Sequence, residues 1–272
     1  MPDAPNAHAK LESERRYFDQ LAQTSGQPAR YSDRTMARYR NPRTQRIFPF
    51  EYTHSLFREC GGQRVCDFGC GQGPSTTFAA ARGARVFGFD ISHGSLRYAR
   101  ELAQVNGVGE RVWFAQMDAT RVAFADGAFD VVLCDGIFHH VDVAAALAEA
   151  KRILRPGGLL LINEPAAPSA LVRRLRGLVP LRPPGTADEA PLTMVQIEAI
   201  AAQLPSAEVT YFRIFGRIER LWPAALTRLL RTAHLPLDSL VNSLAYHLDR
   251  VLMTVLPFTR RLASMVVIAA RR

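Results

Sequence analysis

The sequence predicts an α/β protein built on a doubly wound, mostly parallel sheet of seven strands, with a helical cap at the front and a helical insertion before the last strand. Three observations lead there. Between Gln63 and Pro165, short apolar runs alternate with amphipathic helical patterns, the signature of strand–helix–strand units packed on a parallel sheet. A glycine-rich turn, VCDFGCGQG (Val65–Gly73), directly follows the first of those runs. Two further strand-like runs, EVTYFRIFG and SMVVIAAR, lie far downstream with a helical stretch between them.

In order, RVCDFG reads as a buried strand and STTFAAARG as a helix. ARVFGFD is the second strand, SLRYARELAQVNG the second helix and RVWFAQMD the third strand. FDVVLCDG is the fourth strand. DVAAALAEAKRILRPGG is a helix that Pro156 and Gly157 should stop, and LLLINEP is the fifth strand. Residues 1–60 carry Tyr17, Phe18, Tyr31, Tyr39, Phe48, Phe50 and Tyr52 among many arginines and read as a helical cap. After Pro165 comes a proline-rich loop (Pro168, Pro180, Pro183, Pro184, Pro191). Then LTMVQIEAIAAQL forms a helix with Thr193 as its cap. Between the sixth and seventh strands, Leu237, Leu240, Val241, Leu244, Leu248, Val251, Leu252, Val255 and Leu256 fall on one helical stripe. Asp238, Asn242, Asp249 and Arg250 lie off it. The expected organisation is therefore a cap over 1–60, a ligand-binding core over 61–165, and cover helices with the last two strands over 166–272.

Composition narrows the function. At 272 residues and 48 % hydrophobic, the chain can bury a full core. The start is polar and no charge-free apolar run reaches the roughly 18 residues of a membrane span, so the expected location is the cytoplasm. Cys60, Cys66, Cys70 and Cys134 show no metal-ligand spacing, and a metal site is not expected. The net charge of +9 is carried mostly by the last third: residues 166–272 hold 14 Lys+Arg against 7 Asp+Glu, whereas residues 61–165 hold 10 against 11. Nearly all of it is arginine, since Lys10 and Lys151 are the two lysines. A solvated basic face explains this more simply than a nucleic-acid surface.

The glycine turn carries the functional argument. A dinucleotide site spaces its glycines GxGxxG so that backbone amides approach a pyrophosphate. Here the spacing is GxGxG over Gly69, Gly71 and Gly73, and Asp67 stands two residues before it. A carboxylate repels a pyrophosphate and attracts an ammonium. S-adenosylmethionine offers an ammonium, a ribose and an adenine. Asp90, at the end of the second strand, can accept from ribose hydroxyls, and Asp118, at the end of the third, from the adenine amine.

With these residues in view, the sequence resembles the class I S-adenosylmethionine-dependent methyltransferases, in the small-molecule branch that includes the quinone methyltransferases. VCDFGCGQG resembles their first signature, GFDIS the second, and LRPGGLLLINEP that of the fifth strand. MDATRVAFADGAFDVVLCDGIFHHVD is similar to a run typical of that branch. The resemblance covers residues 61–165 and implies a Rossmann-like methyltransferase fold. It also implies cofactor contacts at Asp67, Gly69, Cys70, Gly71, Gly73, Asp90, Ile91, Asp118 and Ala119, with Cys134 near the methionine end.

A methyl acceptor that must lose a proton needs a base. His139 and His140, after the fourth strand, and Glu164, ending the fifth, are the candidates. Each also admits a structural role: packing or helix capping for the histidines, loop anchoring ahead of Pro165 for Glu164. Tyr31, Tyr39, Phe50 and Tyr52 are candidate lid residues over a small, apolar acceptor such as a natural product, quinone or lipid precursor. The stripe over 237–256 is expected to cover the domain's own core and pocket. A homodimer contact and a peripheral membrane contact are its other readings. Two other functions are open to the same sequence: a protein that binds the cofactor without transferring its methyl group, and a nicotinamide oxidoreductase.

Overall fold

The computed structural model describes residues 4–40, 48–57, 60–167, 169, 190–214 and 237–272. Pro168, Pro180, Pro183 and Pro184 of the expected loop lie outside them.

Three helices precede the sheet: α1 (Ala4–Thr24), α2 (Asp33–Arg40) and α3 (Pro49–Leu56). Then come β1 (Arg64–Phe68), α4 (Pro74–Ala81), β2 (Arg85–Asp90), α5 (His93–Val105), β3 (Val112–Gln116) and β4 (Phe129–Asp135). The chain continues through α6 (Val143–Ile153), β5 (Leu154–Pro165), α7 (Met194–Ala202), β6 (Glu208–Phe212), α8 (Leu237–Val255) and β7 (Met265–Arg271).

The seven strands form one sheet in the order β3-β2-β1-β4-β5-β7-β6. All neighbours are parallel until β7, which runs antiparallel to both β5 and β6. Central strands of such a sheet are covered on both faces and read as continuous apolar runs. In β1, Val65, Cys66, Asp67 and Phe68 are all buried. Side-chain alternation divides them between two cores. Cys66 and Phe68 join Val132, Cys134, Leu160 and Ile162 under α6 and α7. Val65 joins Val131, Leu133 and Leu161 under α4 and α5. The sheet order reverses between β1 and β4, which opens a crevice at the carboxyl ends of those strands.

Local chemistry fixes the helix starts. Gly73 (φ +82°) caps α4 with Pro74 in its first turn. Ser92 accepts from Ser95 N to cap α5, and Asp142 accepts from Ala145 N to cap α6. Thr193 and Gln196 form a reciprocal capping box on α7. Gly73 is also a packing position, because a Cβ there would stand 2.7 Å from Ala99 Cβ.

Four expectations are corrected. The helix expected to run to Pro156 and Gly157 ends at Ile153: Leu154 already pairs with Phe129 of β4, and LRPGG forms an irregularity at the start of β5. The strand expected to reach Asp118 ends at Gln116, with Asp118 bridging back to Arg121 in the following turn. The sixth strand stops at Phe212 rather than Gly216, where Arg213 takes a positive φ of 63°.

The fourth correction concerns α8. The described part of its apolar stripe does not cover the core. Leu244, Leu248, Val251 and Val255 face solvent, while Ala245, Tyr246, Asp249 and Met253 are buried. Asp249, assigned to the polar side, accepts a hydrogen bond from Ile214 N at 3.0 Å. Among the described side chains, Ala245, Tyr246, Asp249 and Met253 pack, and Leu244 and Leu248 do not.

Candidate active site

The crevice at the switch point is a cavity of about 1010 Å³, at the top of the roughly 300–1,000 Å³ range of ligand pockets. Its floor is the turn after β1, with Gly69, Cys70, Gly71 and Gln72. One wall comes from the ends of β2 and β3, with Asp90, Ile91, Met117, Asp118 and Ala119. The opposite wall is the segment after β4, with Asp135, Gly136, Ile137 and His140. The roof is α1, which contributes Lys10, Leu11, Glu14, Phe18 and Leu21.

The turn needs its glycines at two points. Gly69 has φ +75°, and a Cβ on it would stand 2.7 Å from the Ile137 side chain. Gly71 has φ +51° and open space where a Cβ would go. Its amide donates to Asp90 Oδ2 at 2.9 Å. Ser92 N donates to Asp90 Oδ1, also at 2.9 Å. An ionised carboxylate has about four acceptor sites, so two remain on Asp90 for hydroxyl groups. Burial raises the Asp90 pKa, and these backbone donors oppose that shift.

Asp67 and Asp135 are the most perturbed acids. Burial pushes the Asp67 carboxyl up to about 7; the Thr76 hydroxyl, donating to Oδ2 at 2.5 Å, pulls the other way, and neighbouring Asp135 adds to the rise. Burial pushes Asp135 up to about 6, against hydrogen bonds from Ser75 Oγ (3.0 Å) and Asn163 Nδ2 (2.7 Å). A buried carboxyl next to a part-buried one favours a cationic ligand group, which would return both to the ionised form. Asp118 accepts from Thr120 N and Oγ1 at 2.8 and 2.9 Å. It reaches the cavity from a turn rather than from a strand end.

The base candidates separate. Glu164 is fully buried and accepts from Ile137 N and Phe138 N at 2.7 Å each, and its Oε2 lies 2.6 Å from His139 Nδ1. Neither Glu164 nor His139 lines the cavity; together they clamp the segment that leaves β4. His140 does line it. Its Nδ1 is 3.1 Å from Glu14 Oε2 on α1, and Phe18 meets its ring edge-on at 5.2 Å. Asp142, not a histidine, caps the next helix.

Other expected site residues lie elsewhere. Cys134 is fully buried in the core beneath α6, and the cavity wall is made by the next residue, Asp135. Gly73 acts at the α4 cap. The four aromatic residues expected as a lid do not line the cavity. Tyr39 stacks on Phe78 at 3.9 Å, Tyr31 on the same ring at 4.8 Å, and Phe50 meets it edge-on. The Tyr52 hydroxyl lies 3.2 Å from Thr210 Oγ1. Tyr31, Tyr39, Phe50 and Phe78 form a satellite core, whereas Tyr52 meets Phe212 of β6. The roof that does exist was open to sequence reading, since Leu11, Glu14, Phe18 and Leu21 follow helical spacing. Asp135, the last residue of β4, was legible in FDVVLCDG as well.

Fold and cavity together define a Rossmann-like α/β protein with a crevice at the switch point of its sheet. The family model described as "Methyltransferase domain" matches residues 66–162, the segment that builds the turn and both walls. The 27-O-demethylrifamycin SV methyltransferase of Amycolatopsis mediterranei is 36 % identical over 123 residues, covering 42 % of this chain and 45 % of that protein. The demethylmenaquinone methyltransferase of Clavibacter sepedonicus is 37 % identical over 115 residues, covering 42 % and 46 %. The matched part thus spans less than half the length of these relatives. Among solved structures, the geranyl diphosphate C-methyltransferase of Streptomyces coelicolor A3(2) superposes with a TM-score of 0.60 at 15 % identity, over 97 % of this chain and 98 % of that one. The cyclase SpnF gives 0.53 at 19 % identity, over 81 % and 80 %. Both show the fold.

Proposed function

We propose that this chain transfers a methyl group from S-adenosylmethionine to a small, largely apolar acceptor. The observation that carries the reading is the cavity itself, in which Asp67, Asp90, Asp118 and Asp135 converge around a glycine turn at the strand ends. Asp67 and Asp135 would face the ammonium. Asp90 would accept from the ribose hydroxyls, and Met117, Asp118 and Ala119 would border the adenine. The cofactor supplies a methyl group already activated on a positively charged sulfonium.

What the chain adds is placement and proton handling. Leu11, Phe18 and Leu21 roof the cavity with apolar surface, and Ile137 and Val141 extend it. These residues exclude water and select an apolar acceptor. Holding two reactants in line can supply roughly 7–11 kcal/mol of the barrier reduction. His140 is the base for an acceptor that must release a proton. Glu14 Oε2, 3.1 Å from its Nδ1, keeps the imidazole against α1 at the edge of the cavity. His139 and Glu164 act indirectly, by fixing the backbone that carries His140.

The experiment is a calorimetric titration of the whole chain with S-adenosylmethionine, S-adenosylhomocysteine and NAD in parallel. Saturable binding of the first two and none of the third is expected. Asp90→Ala should weaken that binding by about 10–100-fold, the loss of one or two hydrogen bonds to a charged acceptor. NAD binding in place of the other two, or unchanged affinity in the variant, overturns the assignment. His140→Ala should keep cofactor affinity and lose turnover by about 10²–10⁴-fold for a protic acceptor. The cytoplasm as its location belongs to this proposal. Among the described residues, no helix is long and apolar enough to cross a membrane.

A further inference from the structure

The leucine and valine stripe of α8 is an apolar surface that the described fold leaves uncovered. Leu244, Leu248, Val251 and Val255 recur at helical spacing and are each between 52 % and 70 % exposed. They run over three turns, about 16 Å along the helix. The turn that follows, Pro257–Leu262, extends the apolar surface with Phe258, 68 % exposed, and Leu262. Of the other exposed large apolar residues, Leu256 lies next to this strip in sequence, and Leu21, Val105, Trp113 and Val195 are scattered through the chain. A contiguous apolar strip of this kind marks an interaction surface. The opposite face of α8 is already used: Tyr246 accepts from Arg213 Nε at 2.6 Å, and Asp249 holds Ile214 N.

Charge decides between partners. The exposed ionisable side chains from 244 to 262 are His247, Arg250, Arg260 and Arg261. The single carboxylate of that stretch, Asp249, is buried on the far side. Among the described side chains from 244 to 262, an apolar strip followed by Arg260 and Arg261 with no exposed acid suits the headgroup region of an anionic bilayer, where the aliphatic side chains enter the acyl boundary and the guanidinium groups stay at the phosphates. It does not suit a second copy. A two-fold contact would set this patch against itself and bring like charges together.

We propose that α8 and the turn Pro257–Leu262 dock the protein on an anionic lipid surface, lying in the interface plane. The inference rests on this surface alone and does not depend on the methyl-transfer reading.

The test is co-sedimentation of the full chain with vesicles of phosphatidylcholine, with and without about one-third phosphatidylglycerol. Binding is expected to the anionic vesicles and to weaken with added salt. Leu248→Glu/Val251→Glu should abolish it, because negative charge then stands on the inserting strip. Arg260→Gln/Arg261→Gln should reduce it by about fivefold for each arginine removed. Both variants alter exposed positions, so unchanged melting temperature and unchanged S-adenosylmethionine titration are the controls that isolate the surface. Absence of binding to anionic vesicles overturns the proposal. So does equal binding to both vesicle types. A concentration-dependent dimer that Leu248→Glu/Val251→Glu dissociates would assign the strip to self-association instead.

Discussion

At Asp67 the local chemistry makes a direct prediction. Its carboxyl is buried beside Asp135 and sits near pH 7 in the free protein. An ammonium ligand favours its ionised form, so ligand binding expels a proton wherever that carboxyl is still protonated. Affinity for S-adenosylmethionine should therefore rise between pH 5.5 and 8, by up to about tenfold for each pH unit spent below the carboxyl's own pKa. The measurement is calorimetry in buffers of different ionisation enthalpy, which counts the protons released. In Asp67→Asn the affinity should be weaker and its slope with pH shallower, with Asp135, near pH 6, left to supply the remainder. A wild-type affinity that is flat across this range would show that no cation meets these acids.

Among elements, α1 decides whether the cavity is closed. It is tied to the start of α5 by Asp19, whose Oδ1 accepts from Ser92 Oγ at 2.7 Å and from Gly94 N at 2.8 Å. Gly94 permits that approach, since a Cβ there would stand 3.0 Å from the same oxygen. Gln72 adds a bond to Ser25 at the far end of the helix. Asp19→Ala removes two bonds to one charged acceptor, a loss of about 2–4 kcal/mol of docking. The expected result is faster amide exchange along α1 and weaker cofactor affinity, with β1, β4 and β5 as protected as before. Hydrogen exchange resolves the two regions in one experiment. Equal protection of α1 in both proteins would mean that its apolar face alone holds it in place.

Over the whole molecule, stability should depend on pH through groups whose charged form burial disfavours. His54 is fully buried among Tyr39, Phe50, Phe57 and Phe78, and neither ring nitrogen has a hydrogen-bond partner among the described residues. Burial, with Arg82 adding, pushes its pKa down to about 3. The folded imidazole thus stays neutral while the unfolded one titrates near 6.5. Its contribution is present above pH 6.5 and is lost as pH falls from there towards 3. The raised acids act in the opposite sense: the contribution of Asp67 and Asp135 is present below their unfolded value of 3.8 and is lost as pH rises through about 6 to 7. His54→Leu isolates the first effect. Urea melts should show the variant more stable by about 1–3 kcal/mol at pH 7, where an unpartnered buried polar group is removed. The gap should widen between pH 6.5 and 4. A constant gap over that range would place a partner on the imidazole.

The scales differ in how much was legible in the sequence. The strand–helix alternation, the glycine turn, Asp67 and Asp90 could be read directly, because hydrophobic period, turn chemistry and charge are local properties of the chain. Thr193 as a cap was legible for the same reason. Local reading also went wrong in instructive places. Pro156 and Gly157 do not end α6, because pairing of Leu154 with Phe129 draws the chain into the sheet three residues earlier. Tyr31, Tyr39 and Phe50 are aromatic enough to be a lid, but Phe78 of α4 offers them a stacking partner away from the cavity. His139 and His140 are adjacent and chemically identical in sequence; only the fold gives one to Glu164 and the other to Glu14 and the cavity.

The sequence by itself thus determined the sheet, the position of the ligand crevice and the sign of the charge within it. Tertiary structure decided which helix closes the crevice, which histidine faces it and which side of α8 meets solvent. Those outcomes depend on contacts between segments distant along the chain, and the periodicity of one segment does not say which of its faces another segment will cover.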